Sequence, residues 1–309
     1  MKGEKTLASI VLAIIASMTS CVSQPTPAKQ AYDSFPWQVG SAIVHKQVEV
    51  QQPAYCIIHV RQIHEIPNMS TKEEAEIESV QDSIYNILKE LIEKTNCHTV
   101  YMEGATEKRA QIIQLCIEKT RLLNERDSVR MDELYESSSV HHSLLEYAAG
   151  TGFEHKLKKD LDLILKELFM LQQQREYRSV FWTNFSAYNA AVRIAFEDSV
   201  VLQGAELEKE AIAAQENLKV AKKKRRWSEH FLLMDNRENA FLHIMEKQQQ
   251  PVLLTVYGKA HDFSDNIHDW NRLHSSRKAC LIQVTPEDYP KDAKEDNLKY
   301  TVDVRQRNE

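Results

Sequence analysis

Between Pro67 and Pro251 the chain contains no proline, and only Gly104, Gly150, Gly152 and Gly204 interrupt that stretch. Proline breaks helix interiors and glycine weakens them, so a segment this long with so little of either reads as mainly helical, with one strand at most near its start. An all-β fold is excluded. The 309 residues suit one domain of catalytic size with appendages, and 42% apolar with 27% charged residues is ordinary for a chain that buries a core. With 39 Lys and Arg against 45 Asp and Glu the net charge is -6, which argues against a nucleic-acid-binding surface over the molecule, since phosphate binding needs a concentrated basic footprint.

The N-terminus reads as a targeting segment. Lys2 and Lys5 precede an apolar run from Leu7 to Met18, followed by Thr19, Ser20 and Cys21. A run this short fits the core of a signal peptide better than a spanning helix, which needs about 20 residues. Met18-Thr19-Ser20-Cys21 looks like the lipobox of bacterial lipoproteins, in which cleavage leaves the cysteine lipidated. Residues 1–20 are then a signal peptide, Cys21 the lipidation site and 21–40 a tether to the cell envelope, facing periplasm or exterior. Plain secretion and an uncleaved anchor remain alternatives. Of the other cysteines, Cys56 and Cys280 lie in apolar runs as small buried hydrophobes, and no CxxC occurs.

Strands are expected at Ala42 to Val50, Tyr55 to Val60, Thr99 to Glu103, Val252 to Gly258, Ala279 to Thr285 and Tyr300 to Val304. Between the second and third, Thr71 and Glu74 form a possible capping box, and Ile77, Val80, Ile84, Ile87, Leu88 and Leu91 recur at helical spacing. Strand, helix, strand favours a parallel pair with a crossover. From about 106 to 249 helix follows helix, with Leu157, Leu161, Leu165 and Leu168 marking one face. The expected fold is α/β: one domain over 41–309, with a mainly parallel central sheet and a large all-helical insertion.

Three motifs fall at strand ends: His59-Val60-Arg61-Gln62-Ile63-His64, Tyr101-Met102-Glu103-Gly104 and Gly258-Lys259-Ala260-His261-Asp262. Ligands of parallel sheets bind beyond the carboxyl ends of strands, so His64, Glu103 and His261 converge if their strands are parallel neighbours. Two imidazoles and a carboxylate form a ligand set for a divalent metal, Mn, Co or Zn, with positions left open.

These segments, with Asp235-Asn236-Arg237-Glu238-Asn239-Ala240 before the late strand, resemble in order the erythromycin-esterase/ChaN-like and TraB/TIKI superfamily over residues 54 to 262. The resemblance implies an extracytoplasmic, metal-dependent hydrolase of peptidase or esterase type acting on a small molecule or peptide. His64 takes the early histidine, Glu103 the acid, Arg237 the arginine of the preceding helix, and Gly258 with His261 the late motif. Glu103, Arg237 and His261 are then catalytic, and Gly258 lies against the cofactor. Where many members carry Gly-Glu, this chain has Arg61-Gln62, which places hydrolysis in question. A haem- or iron-binding envelope lipoprotein and a non-catalytic envelope interaction module are the alternatives.

Several features carry two readings. Arg237 holds a carboxylate or developing oxyanion, or makes a helix-surface ion pair with Glu238 or Asp235. His59 supports the site or packs in the core, and Tyr257 packs rather than donating a proton. Lys222-Lys223-Lys224-Arg225-Arg226 before Trp227 reads as a solvated helix end rather than a lipid or nucleic-acid contact. His141-His142 has no partner at metal spacing. Tyr177, Phe181, Trp182, Phe185 and Tyr188 suit helix packing first and a ligand groove or haem pocket second.

Overall fold

A computed structural model describes residues 24–36, 38–63, 71–187, 189–198, 200–213, 216, 228–258 and 261–289. In chain order these form α1 (Pro27–Ser34), β1 (Gln38–Val39), β2 (Ala42–Val48), β3 (Tyr55–Gln62), α2 (Thr71–Thr95), β4 (Thr99–Thr106), α3 (Glu107–Ala148) and α4 (Glu154–Ala187). There follow α5 (Ala190–Asp198), β5 (Val201–Glu206), α6 (Ser228–Gln248), β6 (Val252–Gly258), α7 (Phe263–Leu273) and β7 (Ala279–Thr285). The fold is α/β as expected. Seven strands form one sheet in the order β1-β2-β7-β3-β6-β4-β5. The five strands from β7 to β5 are parallel, and β1 and β2 close the other edge antiparallel.

Strand alternation divides the core between two faces. Ile58, Val60, Val100, Met102, Leu254 and Val256 point to one side, where Val80, Ile84, Leu88 and Leu91 of α2 and Ala191 and Ile194 of α5 cover them. Ile57, Tyr101, Leu253, Tyr257 and Leu281 point to the other, under Phe241 and Met245 of α6 and Phe263, Ile267 and Trp270 of α7. Each such aliphatic side chain contributes about 1.5–3 kcal/mol when fully removed from water. The β3–α2–β4 connection runs one way along the sheet and β6–α7–β7 the other, over opposite faces, as right-handed crossovers require. Both faces are thus covered, which is why the central strands read as near-continuous apolar runs. Cys56 and Cys280 are fully buried thiols opposite one another in the β3–β7 register, in keeping with their reading as small hydrophobes.

Several expectations are corrected. The stretch expected to be all-helical contains β5, which pairs with β4 at the sheet edge. Gly204 is there because a Cβ would lie 2.2 Å from the backbone of Thr106. Residues 27–36, expected within the tether, include a helix that Thr26 caps by accepting from the Lys29 N–H, and Ala28, Tyr32 and Phe35 pack into the core. The long helices α3 and α4 form an antiparallel hairpin. The leucine face 157, 161, 165, 168 is only partly its contact, because Leu165 is exposed while Leu168 packs against Met131 and Leu134. Trp182 is buried and donates from Nε1 to Thr120 Oγ1 at 2.9 Å, whereas Tyr177, Phe181 and Phe185 face solvent. The signal peptide, Cys21, His64, the side chain of Thr71, Tyr188, the 222–227 segment and the strand expected at 300–304 lie outside the described residues. Among those residues no helix is long and apolar enough to cross a membrane.

Candidate functional site

The carboxyl ends of β3, β6 and β4 lie side by side, with Gln62 opposite Gly258 and Met102 opposite Val256. Beyond Met102 the pairing of β4 with β5 breaks and resumes only at Thr106. Gly104, at φ +73°, makes the turn there, a conformation that glycine adopts without the steric penalty of a Cβ. Glu103 keeps to the strand alternation, on the same face as Tyr101 and under α6, where it reaches the end of β6; the irregularity shifts the alternation only after it, so that Ala105 packs on the opposite face.

Glu103 is the hub. Its Oε2 accepts the backbone N–H of Gly258. Its Oε1 accepts from Nη2 of Arg237 at 2.8 Å and lies 3.0 Å from Nε2 of His261. Nδ1 of His261 is 2.9 Å from Oε1 of Glu238. Arg237 also pairs with Glu206, whose Oε1 accepts the Gly104 N–H at 2.7 Å. Three carboxylates, one guanidinium and one imidazole thus share a nearly dry space, with His261 1% and Glu238 2% exposed. Buried charges are tolerated only when paired, and each of these is.

Helical spacing accounts for the two contributions of α6. Arg237 and Glu238 are consecutive and diverge by about 100° around the helix, so one reaches Glu103 and Glu206 while the other goes behind His261. Ala240, Phe241 and Met245 meanwhile anchor the helix in the core. Tyr257 is fully buried and donates to the Ala205 carbonyl at 2.7 Å, locking β6 to β5 below the cluster.

These surroundings shift proton affinities. Burial opposes a charge on His261, but the Glu103 carboxylate, by charge and by hydrogen bond, and Glu238 behind it outweigh that and raise the ring to about 9. Burial pushes Glu238 up despite the pull of His261, so a proton between these two is held tightly. Arg237 is raised because Glu103 and Glu206 outweigh its burial. His59 goes the opposite way. It is wholly buried, bonded through Nε2 to the Tyr257 carbonyl at 3.3 Å and packed edge-on against Phe263, and burial lowers it to about 3. It is a neutral histidine beneath the site, and its Nδ1 has no hydrogen-bond partner.

Of the residues singled out in the sequence, the structure brings together Glu103, Arg237, Gly258 and His261. Among the described contacts Arg237 pairs with Glu103 and Glu206, from strands β4 and β5, rather than with an acid of its own helix. Two members were missed. In the sequence Glu238 stands out only as a neighbour of Arg237, and Glu206 does not stand out at all. The signal for Glu206 was Val200-Val201-Leu202-Gln203-Gly204-Ala205, an apolar run that a strand would have used.

A divalent ion in the expected place would take Glu103 and Nε2 of His261. Their 3.0 Å separation, with Glu238 behind Nδ1, has the form of two ligands with an orienting carboxylate. The same Glu103 oxygen, however, already accepts from Arg237, whose fixed positive charge stands where the ion's charge would act. The described donors therefore fit a protonated imidazole better than an ion. Among the described residues no group of three His, Cys, Asp or Glu is arranged to hold a metal. No family model, curated protein or solved structure matches the chain.

Proposed function

We propose that this cluster is the reaction centre of a hydrolase acting on peptide or ester bonds, tethered at the cell envelope through the N-terminal segment. The observation that carries the reading is His261, buried between two carboxylates, one of them shared with a buried arginine. Such a group is costly to bury and adds nothing the apolar core does not already supply. Perturbed groups of this kind concentrate where proton transfer is needed, at the carboxyl edge of a parallel sheet.

The residues divide the work by position. Glu103 takes a proton from water as the water's oxygen attacks the carbonyl carbon. His261, protonated at neutral pH, gives its Nε2 proton to the departing amine or alkoxide. The proton on Glu103 then passes across the 3.0 Å contact to the ring and restores the starting state. Glu238 keeps the ring oriented throughout. Arg237 pairs with Glu103, and its Nε, buried without a hydrogen-bond partner, leaves a donor for developing negative charge.

Hydrolysis of a panel of peptides and esters by the full chain, with and without chelator, tests this. The expected result is chelator-insensitive turnover that His261→Asn lowers by about 10²–10⁴-fold, the usual contribution of a general acid or base. Turnover abolished by chelator and restored by Mn, Co or Zn would instead assign Glu103 and His261 to an ion. No turnover of either bond class would leave an envelope interaction role.

A further inference from the structure

Along the β3–β7 ladder, on the face that α1 and α2 cover, Cys56 stands opposite Cys280, Ile58 opposite Ile282 and Val60 opposite Val284. Each is a pair of identical side chains. For the isoleucines and valines the match serves packing on a pleated surface. For the cysteines it also brings two sulfurs together.

Both cysteines are wholly buried, and both side chains leave the sheet on the same face. Neighbouring strands lie about 4.8 Å apart, and a disulfide spans residues whose Cα atoms are about 4.4–6.8 Å apart. Register, face and spacing are therefore those that a cross-link between β3 and β7 needs. The two thiols hydrogen-bond each other, and that contact together with burial holds Cys56 well above the usual thiol range. The other described cysteines are placed differently. Cys97 donates to the carbonyls of Thr99 and Val252 at 3.4 and 3.8 Å, and Cys116 is exposed on α3.

We propose that Cys56 and Cys280 are the site of a disulfide that ties β3 to β7. The bond forms by thiol–disulfide exchange with an oxidised donor, a protein or small-molecule disulfide. The thiolate of one cysteine attacks a donor sulfur and expels one donor thiolate; the second cysteine attacks the mixed disulfide, expels the other donor thiolate and closes the link. The two cysteine thiols lose two protons and two electrons, and the donor gains them as two thiols. Thiolate is the reacting form and burial suppresses it, so exchange precedes the docking of α1, whose Ala28 and Tyr32 share the buried cluster with both cysteines.

The closed link is uncharged and has no S–H donor to satisfy, which suits its apolar surroundings. It encloses about 220 residues of chain, a long loop whose freedom in the unfolded state it restricts. Cys56 is the second residue of β3, at the opposite end of the strand from the Glu103 cluster. The link is therefore separate from the reaction proposed above, and takes from the envelope reading only a supply of oxidant.

The test is synthesis of the full chain in a cell-free system containing oxidised and reduced glutathione, beside a second synthesis held reduced with dithiothreitol. Neither involves export, so the result does not depend on where the chain resides. The soluble product is unfolded in the presence of N-ethylmaleimide, digested and examined by mass spectrometry. In the glutathione sample the Cys56 and Cys280 peptides should be joined, lighter by two hydrogens than the free pair, with maleimide on Cys97 and Cys116. The linked chain should melt several degrees above the reduced one. Maleimide on both Cys56 and Cys280 overturns the proposal, as does the pairing of either with Cys97 or Cys116. Equal melting temperatures overturn the tie between β3 and β7 even where the peptides are joined.

Discussion

Oε1 of Glu238 lies 2.9 Å from Nδ1 of His261, on the opposite edge of the ring from Glu103, so that a histidine with almost no access to water is gripped by a carboxylate on each nitrogen. Glu238→Gln keeps the size and a hydrogen-bonding group while removing the charge. The proton affinity of His261 should fall from about 9 by a unit or more, read from the ring resonances in a nuclear magnetic resonance titration. An unchanged titration would mean that Glu103 alone sets the ring, and that Glu238 only positions it.

The raised His261 carries a signed consequence for stability. Its folded value, about 9, lies above the ordinary 6.5, so the stabilisation is complete below about 6.5 and is lost as pH rises through about 9. The full span is on the order of 3 kcal/mol. His59 acts on the acid side: its folded value of about 3 lies below 6.5, so stability falls as the unfolded chain takes up a proton that the folded chain refuses. Urea unfolding from pH 5 to 10 should therefore show a maximum near neutrality, and His261→Asn should flatten the alkaline limb alone. An alkaline limb that survives that substitution would have to be assigned to another group.

Arg237 is the sole cation bonded to both Glu103 and Glu206 among the described contacts. Arg237→Met removes it and leaves two carboxylates in a space that excludes water, which typically destabilises by about 3–5 kcal/mol. Lysine, a point charge rather than a fork, should recover only part of that. The urea midpoint of the two variants decides, and equal loss in both would show that geometry rather than charge dominates.

Gly204 touches the backbone of Thr106 so closely that even a methyl must move β5 away from the start of α3. Gly204→Ala should destabilise more than Gly104→Ala. At Gly104 only the left-handed backbone is penalised, by about 1–2 kcal/mol, and the space around the Cβ is open. Because both glycines flank the Glu206 contact, either substitution should also lower any turnover. Thermal unfolding of the pair gives the order, and the reverse order would mean that β5 yields easily.

The same contrast between local pattern and long-range placement separates what was legible in advance. The α/β class, the parallel strands beginning at Tyr55, Thr99 and Val252, and the α2 crossover all follow from apolar periodicity and from where proline and glycine occur, because those are local constraints on backbone and burial; the first two strands run two and three residues further than that pattern indicates. The meeting of Glu103 with His261 was legible for the same reason: strand ends in one parallel sheet share an edge. The apolar run of β5 is a strand signal, but at six residues between helical stretches it is equally compatible with a helix, and only its pairing with β4 decides. Local pattern could not reveal α1, which folds onto the core although its sequence resembles a tether.

Which charges pair depends on tertiary structure alone. Arg237 has acidic neighbours on its own helix, and sequence distance favours them. It instead reaches Glu103 and Glu206, from strands 134 and 31 residues away, because α6 lies across their ends. The periodicity of a chain sets which faces are buried, a short-range matter of 2 or 3.6 residues. The partner of a buried charge is chosen by the folded arrangement of the whole sheet, since Coulomb attraction in a dry interior acts on distance in space.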